Sequence, residues 1–150
     1  MFKISTGLAN HLMASGSLKA GFDGKVIRIY SGPEPASANA ALTLGTTHTV
    51  LCVLSKDGGG QGLKLDGTPV SGIIKKDSDE VWRGTIVANG VASFFRVGDV
   101  NDTDEENPLL VRMQGSVGTV NADFLVSNVT MVAGEEQRCD SCNIGIPVGA

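Results

Sequence analysis

The sequence predicts an all-β protein: an antiparallel β-sandwich, jelly-roll or immunoglobulin-like, with a short N-terminal helix. Three observations predict it. Apolar residues recur in short runs, several alternating with polar ones, which is the period of a strand with one buried face. Turn residues punctuate those runs: the 150 residues include 20 Gly and 5 Pro. The apolar residues are mostly Val, Leu, Ile and Ala, with only five Phe, one Trp and one Tyr. A chain of this length holds one domain with a sizeable core. The expected division is a helical arm or cap over 1–24 and a single sandwich domain over 25–150.

The elements follow in order. Residues 5–15, "STGLANHLMAS", read as a short helix capped by Ser5 or Thr6, with Leu8, Leu12 and Met13 as its apolar stripe. Gly16 stops it, and residues 17–20 add a turn ended by Gly21. "KVIRIY" (25–30) alternates, with Val26, Arg28 and Tyr30 on one face and Lys25, Ile27 and Ile29 on the other. "SGPEPASANAAL" (31–42) is a loop, since Pro33 and Pro35 exclude a central strand. "THTVLCVLS" (47–55) is nearly all apolar and reads as a buried strand. "KDGGGQG" (56–62) is a turn, followed by a short strand at 63–65. The last third holds strands in "LLVRMQ" (109–114), "NADFLVSNVTMVAG" (121–134) and around Cys142 to Val148.

The segment "VWRGTIVANGVASFFRV" (81–97) reads as a hairpin on an Asn89-Gly90 type I′ turn, whose two central residues need φ > 0. That register sets Ile86, Trp82, Phe95 and Val97 on a core face, with Gly84 leaving room for Phe95. It sets Arg83 directly opposite Arg96, and Thr85 opposite Phe94. Facing arginines are mildly destabilising. They call either for carboxylates on a neighbouring strand, or for an acidic surface on another subunit.

"GDVNDTDEENP" (98–108) gathers Asp99, Asp102, Asp104, Glu105 and Glu106. An EF-hand loop starting at Asp99 would need Gly at its sixth position and Glu at its twelfth; the chain has Asp104 and Leu110 there. The loop reads as a solvated acidic tip, with a loose calcium site as the alternative. As a tip, it would meet the arginines of a neighbouring copy. The candidate interface is therefore Arg83, Arg96, Phe94, Asp102, Asp104, Glu105 and Glu106.

Reactive chemistry is sparse. Of three cysteines, Cys139 and Cys142 form a CxxC, which reads as incidental thiols, with a local disulfide or half of a metal site as alternatives. His11 and His48 are the only histidines. His48 and Cys52 lie four apart, about 13 Å along a strand, too far for proton transfer. No nucleophile elbow, phosphate loop or dinucleotide fingerprint occurs. No enzymatic activity, cofactor or metal is expected. The net charge of −4 argues against a nucleic-acid binder. No apolar run reaches the roughly 18 residues of a membrane span, and the N-terminus lacks the apolar core of a signal peptide.

The stretch "ISTGLANHLMASGSLKAGFDGKVIRIYSGPEPASANAAL" resembles the opening of a group of small tailed-bacteriophage virion structural proteins. The shared features are a capped helix, a "GSLK" turn, an "IxIYxG" strand and a "PxxAxAA" loop. "VWRGTIVANGVASFFRV" and "RMQGSVGTVNADFLVSNVTMVAG" are similar to the same group's later strands. The likeness covers most of the chain, but not the acidic loop or the CxxC segment. It implies a subunit made in the bacterial host cytoplasm and built into the virion, without catalysis. Its expected partners are other virion proteins, namely the major capsid protein or neck and tail subunits, together with copies of itself. A capsid decoration (cement) protein is the leading expectation; a neck, collar or tail component is the alternative. A carbohydrate-binding module for host attachment, using Tyr30 and Phe94 as its aromatic platform, is the reading from another class.

Overall fold

The computed structural model describes residues 2–146. The protein is mostly antiparallel β-sheet with short helical turns near the N-terminus, and its sheets are layered like a sandwich. Strand β1 (Lys3–Ile4) leads into helix α1 (Thr6–Asn10), a π-helical turn (His11–Ser15) and α2 (Leu18–Phe22). The remaining strands are β2 (Lys25–Ser31), β3 (Thr49–Lys56), β4 (Ile73–Lys75), β5 (Trp82–Thr85), β6 (Gly90–Val91), β7 (Phe94–Asp99), β8 (Met113–Gly118), β9 (Phe124–Leu125), β10 (Thr130–Met131), β11 (Glu136–Cys139) and β12 (Asn143–Gly145). The main sheet runs β1-β8-β7-β2-β3-β5-β11, with β9 added to β8; β6–β10 and β4–β12 form small separate ribbons.

The helix caps form as the serines suggest. Ser5 Oγ accepts from Leu8 N at 3.1 Å, and Ser17 Oγ accepts from Ala20 N at 3.1 Å. The apolar stripe is narrower than expected. Leu8 is buried, whereas Met13 is 87% exposed, because the chain widens into a π-helical turn after Asn10 and the apolar stripe loses its period. Residues 2–24 are tied to the rest of the chain: Ser5 N donates to Arg112 O, Ser5 Oγ to Leu110 O, and Leu65 N to Asp23 Oδ1.

The principal core lies on the Ile27 and Ile29 face of the sheet. Leu51, Leu54, Phe95, Val97, Met113 and Val117 pack there with Leu8, Phe22 and Trp82. Trp82 stacks on Phe22 at 5.6 Å. Its indole N–H donates to Glu80 Oε1, and Lys64 N donates to the same oxygen. A second, smaller cluster of Tyr30, Phe94 and Leu42 lies on the opposite face.

The expected hairpin over 81–97 does not form. β5 pairs instead with β3 and β11, and β7 with β2 and β8. Asn89 and Gly90 are absent from the residues with positive φ, so there is no type I′ turn, and Gly90 joins β10 instead. Pairing of both strands within a wide sheet outweighs the local turn preference. Trp82 and Phe95 are core residues nonetheless. The glycine under the Phe95 ring is Gly115, where a Cβ would sit 2.8 Å from Phe95 Cε1. Gly84 serves a different contact: its Cβ would sit 1.9 Å from the Val53 carbonyl oxygen.

Two further expectations shift. The run 109–114 enters its strand late, at Met113, because residues 109–112 are occupied by the N-terminal segment and by the acidic loop. The segment 121–134 divides into two-residue strands that serve different sheets. Of the last expected strand, Val148 lies outside the described residues.

Candidate functional site

The second face of the sheet carries the most concentrated chemistry of the described residues. β7 and β8 alternate, so Phe94 and Arg96 point away from the principal core, as does Gln114 beside them. Two loops, residues 32–48 and 100–112, lie across these side chains. Arg96 donates through Nε and Nη2 to Gln114 Oε1 at 3.1 and 2.7 Å, and through Nη1 to Ala40 O at 3.0 Å. Its Nη1 also lies 3.5 Å from Asp104 Oδ1. Arg112 grips Asp102 with a two-pronged fork, Nε to Oδ2 and Nη2 to Oδ1, both at 2.7 Å. The same guanidinium reaches the carbonyls of Ala38, Asn39 and Glu105. Tyr30 Oη donates to Asp104 Oδ2 at 2.6 Å, and Gln114 Nε2 donates to Pro35 O at 2.8 Å. The two arginines and two aspartates have side chains no more than 2% exposed.

The local sequence explains how the loop reaches inward. Asp102 Oδ1 accepts from Asp104 N at 2.8 Å, an Asx turn. Asp104 takes φ 61°, a left-handed conformation that aspartate tolerates better than most residues. Burial alone would raise the Asp102 pKa, but the Arg112 fork and the Asp104 N–H outweigh it and hold the carboxyl below its ordinary value. Arg112 is the mirror case: burial works against its charge, yet Asp102 holds its pKa above the ordinary value. Burial lowers the Arg96 pKa against the pull of Asp104. The Tyr30 phenol is pushed up, first by burial and then by the Asp104 charge.

The cluster corrects the expected interface. Arg96, Phe94, Asp102 and Asp104 are internal, so they present nothing to a partner. Charged groups go inside only when paired, and the pairing comes from Arg112, just before β8, and from Gln114 in β8. Glu105 and Glu106 do remain exposed. The acidic loop is only partly a solvated tip, since Arg112, Arg96 and Tyr30 occupy its inner carboxylates. Among the described residues no group of three or more His, Cys, Asp or Glu side chains is placed to hold a metal. Arg83 does not face Arg96. It lies opposite Arg138 on β11, half-exposed, 3.5 Å from Glu136.

The aromatic platform is corrected too. Tyr30 and Phe94 are fully buried and stacked on each other at 5.0 Å. His48 meets Phe94 edge-on; its Nδ1 accepts from Thr43 N, so Nε2 carries the proton and donates to Pro33 O. His11 Nε2 bonds Ser17 O. Burial pushes the Cys52 thiol up to about 11. Sequence reading missed Arg112, Gln114 and Glu80. The available signal was two polar residues two apart, Arg112-x-Gln114, in an otherwise apolar run.

A second feature is an open cleft of about 860 Å³ on the principal core side. The sheet curls until β8 and β9 on one flank and β11 on the other line the same cleft. No ladder joins these flanks, so the sheet does not close into a barrel. Phe95, Val97 and Met113 line it, and Cys139 and Cys142 stand on its β11–β12 side.

A third feature is a small exposed apolar face. Val87, three residues before β6, and Val91 within it are both exposed, and the β6–β10 register brings Thr130 beside Val91. Val132 lies just beyond that register. Val87, Val91 and Val132 are 65%, 58% and 45% exposed. The ribbon's other side is buried through Met131 and Ala92. In comparisons with known proteins, the chain matches no family model, no curated protein and no solved structure.

Proposed function

We propose that the chain is a virion structural subunit of a tailed bacteriophage, acting by association with neighbouring subunits, and most specifically a capsid decoration protein. The observation that carries this reading is the valine face of the β6–β10 ribbon, an uncharged exposed patch of β-branched side chains. Grouped exposed apolar residues mark association sites. The internal pairing of Arg96, Arg112, Asp102 and Asp104 supports it from the other side. That ionisable cluster holds the chain's own loops in place, with side chains no more than 2% exposed. The sequence resemblance to phage virion proteins supplies the virion setting and the expected partners, capsid or neck and tail subunits.

The test is incorporation during infection by the phage that encodes the chain. Val91→Asp should leave the purified protein soluble with an unchanged Tm, while its copy number in purified particles falls at least about tenfold, since a desolvated charge at an interface costs more than 1.4 kcal/mol. Incorporation of the variant at the wild-type level defeats the proposal. Electron microscopy of the same particles separates a decoration protein from a neck, collar or tail component by where the density lies.

A further inference from the structure

We infer that Cys139 and Cys142 form a thiol–disulfide latch on the wall of the cleft, closed by a small-molecule disulfide oxidant such as glutathione disulfide. Both cysteines are free in the structure, and both line the same open cleft. Cys139 ends β11, where it pairs with Trp82; Cys142 immediately precedes β12 and accepts from Lys76 N through its carbonyl. Asp140, Ser141 and Cys142 connect these strands. The Cys139 thiol donates to Ser141 O at 3.2 Å, which folds this link back on itself. Cys52, the remaining cysteine, is fully buried in β3. The pair is thus local, set on a turn, and reached through a cleft open to solvent.

The chemistry balances without any further reactant. Cys142, the more exposed of the two, loses its proton, and its thiolate attacks one sulfur of the oxidant. The oxidant's S–S bond breaks and one small thiolate leaves, taking up a proton. The Cys139 thiolate then attacks the Cys142 sulfur of the mixed disulfide and expels the second small thiol. Two protein S–H bonds are lost, one S–S bond forms, and the oxidant is reduced to two thiols. The result fastens the end of β11 to the start of β12, fixing one wall of the cleft.

The surroundings set the rate. Burial pushes both thiols up, Cys142 to about 12 with Cys139 adding to the effect, while the Lys76 ammonium pulls against it. Only the thiolate attacks, so latching is slow at neutral pH and accelerates with alkalinity. This inference stands independently of the assembly reading.

The experiment treats the full-length, fully reduced protein with glutathione disulfide and follows the intact mass and the tryptic peptide that begins after Arg138. The expected product has lost two hydrogens, with the link inside that one peptide and Cys52 still free after unfolding. The rate should rise about tenfold per pH unit between pH 7 and 9, where both thiols are mostly protonated. The oxidised protein should melt about 3–6 °C higher, as expected for closing a short loop. Cys139→Ser should instead accumulate a stable glutathione adduct on Cys142. Adducts on both cysteines of the wild type without a link, a link to Cys52, or no reaction at pH 9 would each overturn the latch.

Discussion

Replacing Asp102 with Asn tests the buried charge cluster directly. The substitution keeps the side chain's size and the oxygen that accepts from Asp104 N and Arg112 Nη2, but it removes the charge and puts an NH2 donor where Oδ2 accepted from Arg112 Nε. Arg112 then sits fully buried, holding three backbone carbonyls but no longer the carboxylate that takes two of its N–H groups at 2.7 Å. Breaking one side of a buried ion pair costs about 3–5 kcal/mol. For a domain of this size, that is a fall of about 1–2 M in the urea midpoint with an unchanged slope. Adding Arg112→Met removes the orphaned charge, so the double variant should be more stable than the sum of the two single losses predicts, by at least about 1.5 kcal/mol. The pH dependence has a fixed sign. The Asp102 carboxyl lies below its ordinary pKa in the folded chain, so its contribution is present above the ordinary carboxylate value. It is lost as pH falls through the folded value, and Asp102→Asn should flatten that acid limb. A single-variant loss below about 1 kcal/mol, or strict additivity in the double variant, refutes the reasoning.

Two further outcomes follow from the packing. Phe95→Ala removes a ring that rests on Gly115 and meets Phe124 at 5.6 Å, and should cost about 3–5 kcal/mol by chemical denaturation. Gly84→Ala would press a Cβ against the Val53 carbonyl, a backbone atom that cannot swing aside, and should cost about 1–3 kcal/mol or more, whereas Gly67→Ala, with nothing within 4 Å, should stay within about 0.5 kcal/mol.

The legible parts of this chain are those where one residue's period decides the matter. β2 and β3 follow from the alternation of "KVIRIY" and the apolar density of "TVLCVL", and the serine caps follow from their own side chains. The Asn89-Gly90 pair misled because a turn preference is local, while the strands on either side of it had better partners elsewhere in the sheet. The inner acids misled for a related reason. A row of Asp and Glu looks solvated until the residues that neutralise it are known. Here they are Arg112, ten residues after Asp102, and Arg96 from β7. Nothing in the spacing of Asp102 and Asp104 announces a guanidinium fork. The alternation of β2 hinted at it, since Tyr30 and Val26 would have no reason to be apolar on a wet face.

The neutrality of that internal cluster bears on how the molecule behaves in different media. Its four charges cancel and lie beyond the reach of dissolved ions, which screen exposed pairs far more than buried ones. The relief of the two covering loops is therefore the same in dilute buffer and in brine. A subunit with a pre-set outer contour does not have to freeze those loops when it meets a neighbour, which spares it a rotamer-ordering cost of about 0.5–1.5 kcal/mol for each side chain already held.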